Sequence, residues 1–200
     1  MDYIALMPAN ERKDLLRYAA DRLEHAMQPA VVEKDFWVCW VLHRLFQSPG
    51  MSKKILFKGG TSLSKVFGLI ERFSEDVDLI LDWREVTDED PMIDRSVSKQ
   101  DKFNKTIIEQ AHAYLRETFL TEVQSLVSDA CQAIIEDNPE IVSIRYPVAF
   151  PSVYLRPTIQ LEVGPLASWV PHAEYVVRPY AADAAPDIFK ESDCTVRAIK

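Results

Sequence analysis

The chain has 200 residues, 48% hydrophobic and 27% charged, the balance of a globular domain long enough to bury a core without disulfide staples. No apolar run reaches the roughly 18 residues of a membrane span. The opening Met1-Asp2-Tyr3-Ile4 lacks the basic start and apolar stretch of a secretion signal, so cytoplasmic residence without a membrane partner is expected. A net charge of -8 means that binding to nucleic acid would need a local basic patch working against the global field. Cys39, Cys131 and Cys194 are odd in number and not in zinc spacing, and are expected to be reduced, buried thiols.

In chain order, helical spacing of Leu15, Leu16, Ala19, Leu23 and Ala26 predicts a helix over about 10–27, ended by Pro29. A second helix is predicted over about 31–46, with Trp37 and Trp40 read as core, and Ser48-Pro49-Gly50 as a loop. Ile55-Leu56-Phe57 reads as a short strand before Gly59-Gly60. Thr61 or Ser62 would then cap a crossover helix whose apolar face is Leu63, Val66, Phe67 and Ile70. Val77 to Leu81 reads as the next strand, and 84–101 as polar loop. A long helical region, broken once, is expected over about 102–136. Beyond Pro139 the pattern turns to strands, around Ile141 to Tyr146, Val153 to Val163, Tyr175 to Val177 and Thr195 to Ile199. The prolines there favour edges and turns. The expected architecture is α+β: a mixed sheet with flanking helices and an N-terminal helical pair.

The segment with chemical content runs from Phe57 to Leu79. A nucleoside triphosphate needs backbone N–H donors at close range, and Gly59-Gly60 between a strand and a helix start supplies them. Thr61 and Ser62 add hydroxyls. Lys65 shares their helix and could reach phosphate, although a solvated lysine is at least as ordinary. Arg72 could bind phosphate or pair with Glu75; Glu75 itself receives no chemical role. Asp76 and Asp78, two apart on a strand, share one face. Paired carboxylates of this kind can hold two divalent ions about 3.5–4 Å apart, and hard oxygen donors suit Mg2+ or Mn2+. A third acid is expected from a neighbouring strand. Glu162 fits, as a carboxylate inside an apolar alternating run that metal coordination would relieve. Asp82 is the alternative. His25, His43, His112 and His172 are scattered and read as structural.

Gly59 to Leu63 followed by Arg72-Phe73-Ser74-Glu75-Asp76-Val77-Asp78-Leu79 resembles the AbiEii/AbiGii toxin family of nucleotidyltransferases, within the DNA polymerase β-like superfamily. Glu33-Lys34-Asp35-Phe36-Trp37 resembles a further segment of the family on a preceding helix. The likeness is good over about 31–81 and loose over 146–200. It implies nucleotide phosphates at Gly59, Gly60, Thr61 and Ser62, metal at Asp76 and Asp78, and a third acid at Glu162. It also implies a polar network around Lys34 and Asp35 beside the site; a surface ion pair is the alternative reading of those two residues. Further implications are a nucleoside triphosphate substrate, an RNA or tRNA acceptor, and a toxin role in type IV toxin–antitoxin or phage-defence systems, with a cognate antitoxin that forms no stable complex. One nucleotidyltransferase domain is expected over 1–200, with N-terminal helices at about 10–47 and a catalytic core at about 54–200. The family's C-terminal helical region, with its lysine-rich motif, is expected to be absent or truncated. A nucleotide-binding module without transfer activity and a small-molecule (antibiotic) nucleotidyltransferase are the competing readings.

Overall fold

A computed structural model describes residues 1–24, 27–70 and 73–199. Helix α1 (Asp2–Leu6) and α2 (Ala9–Arg22) lead into α3 (Pro29–Gln47), which starts on a proline whose fixed φ suits the first helical turn. Every residue of α3 from Val32 to His43 is buried. A helix that is apolar nearly all round belongs inside the protein rather than on its surface. It packs against α2 and, further along the chain, α4 (Met51–Lys54), α7 (Leu120–Val127), α8 (Tyr180–Ala184) and two strands.

The sheet has seven strands: β1 (Ile55–Lys58), β2 (Asp76–Leu81), β3 (Gln132–Ile135), β4 (Ile141–Arg145), β5 (Thr158–Gly164), β6 (His172–Val177) and β7 (Cys194–Ile199). Their spatial order is β3-β4-β5-β2-β1-β7-β6. β2 runs antiparallel to β1 and parallel to β5, so the sheet is mixed and the α+β expectation holds. Val77, Leu79, Leu81, Ile159, Leu161 and Val163 join the core with α3. Strand alternation therefore turns the even-numbered residues of β2 and β5 to the other face. Trp37 and Trp40 are fully buried, and all three cysteines are buried free thiols.

Several boundaries differ from the sequence reading. Helix α5 (Gly59–Lys65) stops before Val66, because the chain reverses at Gly68 with φ +60°, and it joins antiparallel neighbours rather than crossing over between parallel strands. The long helical region runs from α6 (Val97–Tyr114) through a π-helical turn at Leu115–Phe119 into α7 and ends by Val127. Its start takes the end of the expected loop, and its expected tail is strand β3. Ala133-Ile134-Ile135 is a short apolar run that suits either periodicity, and no glycine or proline marks the break, so tertiary pairing with β4 decides. β5 begins only after Pro157, which lies outside the ladder as its missing N–H requires. His25 and Arg72 lie outside the described residues.

Candidate active site

Lys58 leaves β1 extended, and Gly59 turns the chain with φ +76° into α5. L-residues avoid that region, and space forbids a side chain as well: an ideal Cβ on Gly59 would lie 1.8 Å from Asp78 Oδ2. The Asp78 carboxylate thus sits directly on the glycine Cα and takes a hydrogen bond from the Gly60 N–H. A Cβ on Gly60 would come to 3.3 Å from Ser74 Oγ.

Sheet register assembles the rest. Asp78 lies opposite Lys58 on β1 and opposite Glu162 on β5, while Asp76 lies opposite Gln160. Asp76, Asp78 and Glu162 therefore share one face, drawn from two strands more than 80 residues apart in sequence. A cleft of about 250 Å³ continues from Lys58, Asp78 and Glu162 towards Asn138, Glu140 and Ile108. Partial burial raises the Asp78 carboxyl above its ordinary value. Lys58 opposes that rise and Asp76 adds to it. Glu162 is raised by partial burial and then by the charges of Asp78 and Asp76. Mutual repulsion among three hard-oxygen donors fits a site for a divalent cation. Glu162 is largely exposed rather than enclosed in an apolar strand, so a cation would relieve this repulsion together with the partial desolvation. The set is open: among the described residues no three His, Cys, Asp or Glu side chains already close on one point, and a guanidinium contacts Asp76.

The other expected site residues are placed differently. Thr61 and Ser62 are buried, and their hydroxyls donate to the main chain: Thr61 to the Asp76 carbonyl, Ser62 to the Gly59 carbonyl at 3.0 Å. They brace the turn against β2. Lys65 Nζ lies in a buried pair with Asp35, donates to the Arg178 carbonyl at 3.1 Å and covers the Tyr180 ring. Burial works against its charge, but Asp35 more than compensates and holds its pKa above the ordinary value. Asp82 caps the following turn and pairs with Arg84 at 3.0 Å, away from the acids. Lys34 and Asp35 do not pair with each other. Lys34 is fully buried and pairs with Glu75. Glu33 accepts the N–H groups of Ala149 and Phe150 at 2.8 and 2.9 Å.

Sequence reasoning missed Arg156. Its Nη1 contacts Asp76 Oδ1 at 3.2 Å and also Gln160 Oε1. The signal was present in the alternation: Arg156, Thr158, Gln160 and Glu162 share one phase, so extending the strand pattern two residues before Thr158, past Pro157, reaches it.

A family profile described as nucleotidyl transferase AbiEii toxin, type IV TA system, matches residues 40–200. No curated protein matches the chain significantly. Among solved structures, the chain is similar in fold to MenT4, a nucleotidyltransferase toxin from Mycobacterium tuberculosis H37Rv, with 16% identity and a TM-score of 0.51 over 97% of this chain. The chain spans about half of that protein's length, 55%. The profile match takes in the glycine turn, both strand acids and Glu162, and on that extent the chain belongs to the AbiEii nucleotidyltransferase toxin family of type IV toxin–antitoxin systems.

Proposed function

We propose that this chain transfers a nucleoside monophosphate from a nucleoside triphosphate to an acceptor hydroxyl on RNA, tRNA being the first choice, and acts as the toxin of a type IV pair. The observation that carries the reading is the seating of Asp78 on Gly59, with Asp76 and Glu162 beside it on one face. Gly59 and Gly60 let phosphates approach the main chain without side-chain obstruction. Lys58, in register with Asp78, brings positive charge to the same place. Asp76, Asp78 and Glu162 are the residues that would hold Mg2+ or Mn2+, which when bound supplies activation of the acceptor hydroxyl and neutralises the pyrophosphate leaving group. The cleft beside Glu162 leaves room for the acceptor on the β5 side. The chain's own part is therefore mainly positioning and charge placement. A cognate antitoxin acting without stable complex formation, and residence in the cytoplasm, complete the proposal. The acid lining of the cleft by Asp78, Glu140 and Glu162 supports one other reading, a cationic small molecule as acceptor.

The test is incubation with labelled triphosphates, magnesium and either total RNA or an aminocyclitol antibiotic. Asp76→Ala and Asp78→Ala should each lower incorporation by more than about 100-fold, as for loss of a main electrostatic group, with a melting temperature no lower than the parent's. Equal labelling by variants and parent would refute the assignment. Label on the antibiotic alone would move the acceptor to the second reading. Triphosphate binding with no product on either acceptor would leave a nucleotide-binding module.

A further inference from the structure

Arg156 is an exposed residue in a loop, yet both of its main-chain polar groups end on charged side chains. Its N–H donates to Glu75 Oε2 at 3.0 Å, and its carbonyl accepts from Lys34 Nζ at 3.0 Å. Lys34 and Glu75 are themselves paired, and the lysine side chain is 0% exposed. Pro157 restricts Arg156 further, because the residue before a proline is held in the extended region. Glu33, next to Lys34 on α3, anchors the same loop upstream at Ala149 and Phe150. A buried lysine is an expensive way to fasten a loop, since its desolvation must be offset by good partners. What it fixes is the backbone of one residue, whose side chain then passes to the acid face.

There the guanidinium uses a single nitrogen, Nη1, for both Asp76 and Gln160. Among the described residues no hydrogen-bond partner is found for Nε and Nη2. A guanidinium presents five donors in a planar fork that matches two phosphate oxygens at once. We infer that Arg156 binds the phosphates of the nucleotide, and that Lys34 and Glu75 are positioning residues that hold it over Asp76. This inference rests on reading the acid face as the nucleotide site. It adds to that reading a phosphate ligand that lies on neither the glycine turn nor the metal acids. Glu75, just before β2, turns to Lys34 and the Arg156 N–H while Asp76 meets the guanidinium, so the two adjacent acids serve the arginine's backbone and its side chain respectively.

The probe is inorganic tripolyphosphate, titrated calorimetrically into the whole chain with and without magnesium, alongside the triphosphate KM in the transfer assay. Arg156→Ala should weaken tripolyphosphate binding by about tenfold or more, and Arg156→Lys by less, because the charge stays but the fork is lost. The triphosphate KM should rise with kcat little changed, the mark of an interaction made equally in ground and transition states. Replacing the pair jointly, Lys34→Met with Glu75→Gln, avoids leaving a buried unpaired charge. It should weaken binding in the parent but add nothing in the Arg156→Ala background. A full additive loss there would overturn the positioning role. Unchanged tripolyphosphate affinity and KM in Arg156→Ala, or no tripolyphosphate binding by the parent, would overturn the inference while leaving detected transfer intact. Loss of binding in Arg156→Ala with no transfer to any acceptor would uphold it and sink the transferase reading instead.

Discussion

Replacing the Cα hydrogen of Gly59 by a methyl group would place carbon 1.8 Å from Asp78 Oδ2, in a backbone region L-residues avoid. The left-handed conformation alone costs about 1–2 kcal/mol, and the overlap adds to it unless Asp78 moves. Gly59→Ala should therefore lower stability by about 2 kcal/mol or more and also displace the acid, so transfer falls together with the urea midpoint. Gly60→Ala has a flexible serine hydroxyl to yield at 3.3 Å and should cost much less. Comparable losses for the two variants in urea unfolding would contradict the close packing of Asp78 on Gly59.

At the level of elements, α3 controls the geometry around the site. Three consecutive charged residues leave a buried helix in three directions: Glu33 to the loop at 149–150, Lys34 to Glu75, and Asp35 to Lys65 and the Tyr180 N–H. Successive residues on a helix point about 100° apart, so such a run can be satisfied only where the helix is surrounded. The Asp35–Lys65 pair has side-chain exposures of 0% and 7%. Lys65→Met alone would leave a buried carboxylate without its cation and should cost about 3–5 kcal/mol. Lys65→Met with Asp35→Asn, which keeps an acceptor for the Tyr180 N–H, should recover most of that loss in thermal or urea unfolding. A double variant no more stable than the single one would show that the pair is not what holds α5 against α3.

For the molecule as a whole, the acid face is a standing electrostatic cost. Asp78 and Glu162 are raised, by partial burial and then by neighbouring carboxylates. A carboxyl raised in the folded state keeps its proton where the unfolded chain has lost it. Its contribution to stability therefore falls as pH climbs from the unfolded value, near 4, through the raised folded value. Asp78→Asn and Glu162→Gln should melt close to the parent at acid pH and above it at neutral pH. Magnesium should raise the parent's melting temperature by mass action and close that gap, with little effect on Asp78→Asn. A gap that widens on acidification, or a magnesium shift as large in the variant as in the parent, would show that the acids are not a cation site.

Local chemistry was legible from the sequence: the glycine turn, the shared face of Asp76 and Asp78, the alternation that presents Glu162, and the α+β class. These follow from conformational preference and strand period, which act over a few neighbouring residues. The helix–strand switch before β3 and the early stop of α5 were not legible, because propensity there is ambiguous and pairing or packing decides. Nor were the burial of Lys65, the role of Glu75 or the placement of Arg156. The contact from Lys34 to Arg156 spans 122 residues, and no periodicity records which distant backbone will complete a buried charge's hydrogen bonds. By itself the sequence determined the α+β class, the family likeness and which acids share a strand face. Only the tertiary structure decided which cations face the acids, because a buried ion pair is satisfied by whatever the completed fold brings beside it.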